Sequence, residues 1–182
     1  MTNTPRIRYR FRVRGFLSTL PDGDAGTWAT LRAMQELSRR AALVPMVRQT
    51  AASIVQGVPY DKGNAHAELI RRWIEPRVYF LADPTYAEAL HAPEWSLRQI
   101  LTRGTVGLDC DDVAMLAAAL GLSIGLRARF VAVGFNSPDA PFRHVWTDLA
   151  AISRPVWVSV DPTRETQGLG RFDIQRVAHY EA

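Results

Sequence analysis

The stretch Gly107-Leu-Asp-Cys-Asp-Asp-Val-Ala-Met-Leu-Ala-Ala-Ala-Leu120 holds the only cysteine of the 182-residue chain. Val113, Leu116, Ala117 and Leu120 recur at i, i+3, i+4 and i+7, the spacing of one helix face. Asp109 is a good N-cap, and Asp111 and Asp112 add first-turn carboxylates that complement the helix dipole. Cys110 therefore stands at a helix N-terminus, where partial positive charge favours thiolate over thiol. The three neighbouring carboxylates oppose that effect. A reactive Cys110 thus requires a cationic partner, and the downstream sequence offers a histidine.

His144 opens His-Val-Trp-Thr-Asp-Leu149, and Asp161 closes Val156-Trp-Val-Ser-Val-Asp161. Both segments are rich in β-branched and aromatic residues and read as strands. Ala-Ile-Ser-Arg-Pro between them suits a turn. A hairpin with Leu149 opposite Val156 sets Thr147 against Val158 and Val145 against Val160, so one face is almost wholly apolar. The same register puts His144 directly across from Asp161, where opposed Cβ atoms lie roughly 4.5–5.5 Å apart. A nucleophile on a helix start, a base on a strand and a carboxylate orienting that base make up the generalised triad. Its chain order here is Cys110, His144, Asp161.

Gly-x-Asp-Cys-Asp-Asp-x-Ala, then Gly125-Leu-Arg-Ala-Arg-Phe-Val-Ala-Val133, then His-Val-Trp, then Trp-Val-x-Val-Asp-Pro-Thr163 resemble the transglutaminase-like superfamily, a branch of the papain-like cysteine-protease fold. The resemblance covers about residues 64–163. It implies Cys110 as nucleophile, His144 as general base and acid, and Asp161 as the orienting carboxylate. Members include peptidases, amidases, true transglutaminases and inactive binders. The expected reaction is acyl transfer through a Cys110 thioester, with water as acceptor, which needs no second substrate site. That makes a peptidase or amidase acting on a protein or peptide. The alternatives are a protein-crosslinking transglutaminase, or a non-catalytic binding or structural module. The small size and Ala82-Asp-Pro84 also resemble short phage and prophage members, which implies a partner in a phage-type assembly. One oxyanion donor is the Cys110 backbone N–H; Gln99, Trp95 and Trp73 are candidates for the second.

No cofactor is expected. Asp109, Asp111 and Asp112 are read as caps and as partners for arginines such as Arg103, Arg127 or Arg129. Hard carboxylates on a turn also suit Ca²⁺, and Asp-Cys-Asp-Asp resembles calcium-dependent bacterial proteinases of the superfamily. Those are periplasmic, and no signal peptide is seen here, so the metal is not carried over. His66, His91 and His179 lack partners at metal-ligand spacing and are assigned to surface or capping positions. A single cysteine excludes a disulfide framework and a multi-cysteine zinc site. No apolar run approaches the ~20 residues that span a bilayer. A cytoplasmic or phage-particle location follows as the expectation.

Residues 6–14, Arg-Ile-Arg-Tyr-Arg-Phe-Arg-Val-Arg, alternate strictly, with five arginines on one face of a strand. They dominate the net charge of +4, since removing five leaves −1. A solvated outer face of an edge strand is favoured over a nucleic-acid-binding face or a docking strand. Helices are expected from Trp28 to about Leu43, from Pro45 to before Gly57, and from Asn64 to before Pro76. Val78–Leu81 reads as a short strand. Residues 85–103 read as helical or mixed, broken by Pro93. The tail after Gly168-Leu-Gly170 carries no clear assignment. One domain is expected over 1–182: an Arg-rich strand and linker (1–20), a mainly helical part (24–103), a catalytic core (104–163) and a C-terminal tail (164–182). The class is α+β, with N-terminal helices and the nucleophile helix packed on an antiparallel sheet.

Overall fold

The structure is a computed structural model that describes residues 23–60, 64–83, 89–153, 156–164 and 168–182. The Arg-rich stretch 6–14 and the turn residue Pro84 lie outside the described residues. The element order is α1 (Asp24–Ala42), α2 (Pro45–Ile54), α3 (Ala65–Ile74), β1 (Val78–Phe80), α4 (Pro93–Arg103), β2 (Val106–Leu108), α5 (Cys110–Ser123), β3 (Arg127–Phe135), β4 (His144–Ala150), β5 (Val158–Val160) and β6 (Ile174–Glu181). Helices come first and an antiparallel sheet follows, in the strand order β5-β4-β3-β6. A parallel pair, β1 with β2, delivers the chain to the start of α5.

α5 is the centre of the core. Every residue from Asp111 to Gly121 is buried, and the helix touches α1, α2, α3 and α4 as well as β2, β3 and β4. A helix enclosed on all sides needs apolar residues all round rather than one stripe. The Ala114, Ala117, Ala118 and Ala119 side chains let neighbours approach closely. Burying Leu116 or Leu120 contributes on the order of 1.5–3 kcal/mol each. Two hydroxyls anchor it: Thr147 Oγ1 of β4 donates to the Ala114 carbonyl at 2.6 Å, and Ser38 Oγ of α1 donates to the Met115 carbonyl at 3.4 Å. The helix ends in a Schellman-type turn. Leu126 N–H bonds to the Gly121 carbonyl and Gly125 N–H to the Leu122 carbonyl, with Gly125 at φ 82°.

Three sequence expectations are corrected. Pro93 starts α4 rather than breaking a helix, because the first helical turn needs no N–H from that residue. The unassigned tail forms β6, which pairs antiparallel with β3 from Arg129↔Glu181 to Phe135↔Ile174. The β4–β5 register is Thr147↔Val160, Asp148↔Ser159 and Leu149↔Val158, two residues from the expected one. A two-residue shift leaves every side chain on its original face, so the apolar pattern fits both registers equally. Polar contacts on the far face accompany the observed choice. Ser159 Oγ donates to the facing Asp148 Oδ1 at 2.7 Å, and Trp157 sits outside the ladder beneath the Arg129 guanidinium, 4.2 Å from its ring centroid.

The far face of the sheet carries a small second core of Val131, Val133 and Phe135, covered by Trp146, Leu169, Phe172 and Ile174. The approach to β4 is held from several directions. Arg176 donates to the Ala140 carbonyl, pairs with Asp24, and lies over the Phe142 ring, which Trp28 meets edge-on. Gly134 completes that seat, since a Cβ there would fall 2.8 Å from the Ala140 oxygen and 3.0 Å from the Pro141 oxygen. Backbone cannot swing aside as a side-chain end can. Gly134→Ala is therefore expected to cost about 1–3 kcal/mol, read as a lowered urea midpoint at unchanged m.

Candidate active site

Strand β2 runs into Asp109, whose extended backbone and carboxylate cap α5 by accepting from the Asp112 N–H at 3.1 Å. This is the expected cap, and it puts Cys110 at the first helical position, partly buried against the main core. The thiol donates to Asp111 Oδ1 at 3.5 Å. Burial pushes the Cys110 thiol well above its ordinary range, and the Asp111 and Asp109 carboxylates push it further; a backbone hydrogen bond from Val145 opposes them. Cys110 thus rests as a neutral thiol.

The sign of the pH dependence follows. A folded thiol that holds its proton more tightly than the unfolded one loses stability as pH rises above the ordinary value near ~8.5. Asp111→Asn removes a negative charge from beside the sulfur, while its amide oxygen can still accept from the thiol. It is expected to lower the alkaline midpoint of Cys110 alkylation by a small haloacetamide and to speed the reaction at neutral pH.

The Val145 hydrogen bond brings the thiol beside the first residues of β4, where His144 is buried. His144 Nε2 lies 2.9 Å from Asp161 Oδ1, so this expected pair is together. Its route differs from expectation. Asp161 follows the last ladder residue of β5, and the register shift makes it a diagonal neighbour of His144 rather than an opposed one. The imidazole reach closes the gap. Asp161 Oδ1 also accepts the Arg164 N–H at 3.2 Å, so the same carboxylate caps the turn that ends the strand. The His144 side chain has no exposed surface, and its Nδ1 has no hydrogen-bond partner among the described residues.

The acidic trio does not act as one group. Asp109 caps the helix, Asp111 meets the thiol, and Asp112 is bound by His91 through two contacts, backbone N–H to Oδ1 at 2.7 Å and Nδ1 to Oδ2 at 2.6 Å. Of the expected arginine partners, Arg129 pairs with Asp148 and Arg127 lies 3.8 Å from Glu181. Among the described residues, no three His, Cys, Asp or Glu side chains converge as a metal ion requires.

The three remaining histidines divide. His179 is exposed on β6. His66 is buried, with Nε2 2.7 Å from the Val58 carbonyl. His91 is the residue that sequence reasoning missed, because its partner lies 21 positions away and no local pattern links them. Of the oxyanion candidates, Trp95 is stacked on His91 with centroids 4.5 Å apart, and Trp73 carries Arg77 over its ring. Gln99 is half-buried on α4.

Among the described residues no helix is long and apolar enough to cross a membrane. A family model described as the transglutaminase-like superfamily matches residues 48–162, more than half of the chain and inclusive of Cys110, His144 and Asp161. No curated protein and no solved structure matches.

Proposed function

Because this chain belongs to the transglutaminase-like superfamily, a group that includes cysteine-dependent enzymes, we propose that it catalyses acyl transfer through a thioester on Cys110, with hydrolysis of a peptide or amide bond as the net reaction. One observation carries the reading: a buried imidazole with Nε2 on a carboxylate and Nδ1 unpartnered, in the residue next to the one that hydrogen-bonds the thiol. Asp161 fixes the tautomer with the proton on Nε2, which leaves the Nδ1 lone pair to act as base. Cys110 loses its proton to Nδ1 as Sγ bonds the acyl carbon. Nδ1–H then protonates the departing nitrogen as the C–N bond breaks. Water, deprotonated by the same nitrogen, attacks the thioester; the acid leaves and the thiol regains its proton. Since Cys110 rests as a thiol, proton transfer to His144 accompanies attack rather than preceding it.

The competing reading is a non-catalytic binding or structural module of a phage-type assembly; the upward-shifted thiol favours only its non-catalytic part. An activated acyl ester decides between the two. Acid-quenched mass spectrometry is expected to find one acyl group on Cys110, absent in Cys110→Ala, and turnover in water follows its decay. An intact ester and an unmodified Cys110 across pH 6–10 would remove the catalytic reading. Transfer to an added primary amine faster than to water would make the protein a transglutaminase instead.

A further inference from the structure

On the reading of Cys110 as the nucleophile, we propose that His91 is a positioning residue that locks the first turn of α5 and couples Cys110 reactivity to the protonation of a second histidine, separate from His144. Both oxygens of the Asp112 carboxylate are held by His91, one by its backbone N–H and one by Nδ1, at 2.7 and 2.6 Å. Asp112 is 1% exposed, and an uncompensated carboxylate at that depth is costly. Its own N–H binds the Asp109 carboxylate, the cap immediately before Cys110. A chain of contacts therefore runs His91, Asp112, Asp109, Cys110. The far side of the imidazole is braced by the Trp95 ring, stacked at 19° and 4.5 Å.

Among the described residues, the charges that act on His91 are acidic: Asp112 from α5, Asp109 from the turn before it, and Asp83 from the segment after β1. From α4 it meets the neutral Trp95 ring. The Asp112 hydrogen bond raises the His91 titration most, burial opposes it, and the charges of Asp112, Asp83 and Asp109 add to the rise. Protonated His91 thus compensates Asp112. Asp109 acts on His91 and on Cys110 alike, favouring the imidazolium at one and the thiol at the other. When His91 loses its proton, the negative charge beneath the first turn is uncovered, and Cys110 holds its own proton more tightly.

The sign for stability follows from the raised value. The contribution of the His91–Asp112 pair is complete below the unfolded histidine value near ~6.5. It is lost as pH climbs through the higher folded value.

The test is the pH profile of Cys110 alkylation by iodoacetamide, measured on the full chain in wild type, His91→Gln, Asp112→Asn and the double variant. His91→Gln is expected to slow alkylation several-fold at pH values below the His91 titration, and to abolish the break that wild type shows in its rate profile as His91 loses its proton. Asp112→Asn is expected to move the thiol midpoint down, and the double variant, with a neutral pair, to alkylate near the wild-type rate below the His91 titration. If His91→Gln lowers the melting temperature but leaves the alkylation rate below the His91 titration and the break in the rate profile as in wild type, the residue is merely structural and the proposal fails. Should His91→Gln itself fail to fold, the Asp112→Asn profile alone decides, an unmoved midpoint again refuting the coupling. Alkylation reads the thiol without requiring acyl transfer. Failure of the catalytic reading therefore shows separately, as His144→Ala alkylating and acylating like wild type.

Discussion

Replacing His144 by alanine is expected to slow acylation of Cys110 by roughly 10²–10⁴-fold, the usual contribution of a positioned general base. The large effect follows from the resting state of the thiol. Burial and two carboxylates keep the proton on sulfur, so attack without a base would have to begin from a rare thiolate. His144 is the basic side chain whose free nitrogen is in the residue adjoining the thiol's Val145 contact. Asp161→Asn is expected to lose less. Its amide oxygen can still accept from His144 Nε2 and from Arg164, as Asp161 Oδ1 does, but the charge that stabilises the imidazolium is gone. The measurement is single-turnover acylation by an activated ester, quenched in acid and read by mass. Comparable rates in wild type and His144→Ala would assign the base elsewhere, with Asp111 next in line because it already touches the thiol.

The second large effect is on stability and lies away from the thiol. Asp148 is buried on the far face of β4 and gathers four donors: Arg129 Nε and Nη2 at 3.1 and 2.9 Å, Trp146 Nε1 at 2.8 Å and Ser159 Oγ at 2.7 Å. Asp148→Ala leaves all of them without their acceptor, and a buried ion pair broken from one side typically costs about 3–5 kcal/mol. The lower end is expected here, since the Arg129 side chain keeps 22% of its surface exposed and water can reach it. Urea denaturation is expected to show a midpoint lowered accordingly. Ser159→Ala, which removes one neutral donor from the same oxygen, should cost only ~0.5–1.5 kcal/mol. Equal losses in the two variants would mean that Asp148 serves as a pin for β5 alone. That pin matters to the site, because Asp161 leaves β5 one residue after Val160.

Local chemistry made much of this molecule legible before its fold. Asn64 stands before the third helix without a side-chain cap hydrogen bond; the Asp109 cap, the apolar run behind Cys110 and Pro45 inside the second helix start are each signals confined to a few consecutive residues. They act through backbone hydrogen bonds and fixed φ angles that form within one turn. The Cys110, His144 and Asp161 motifs were legible for the same reason, each sitting at an element boundary with its own local pattern. The order of helices and strands then set the α+β class.

What tertiary structure alone decided is of a different kind. Apolar alternation repeats every two residues, so it could not distinguish two β4–β5 registers separated by two; the observed one sets Asp148 against Ser159. The same parity explains how His144 and Asp161 meet even though their expected opposition was wrong. β6 has only a modest alternation of its own, with Ile174, Ala178 and Tyr180 half-buried, and it becomes a strand by pairing with β3. His91 and Asp112 belong to segments separated by α4 and β2, and only packing of the chain around α5 sets an imidazole on a buried carboxylate. By itself the sequence determined where helices begin, which faces are apolar and which residues are candidates for chemistry. The tertiary structure decided which charges face one another, because a buried charge is compensated through space by residues that share no local pattern.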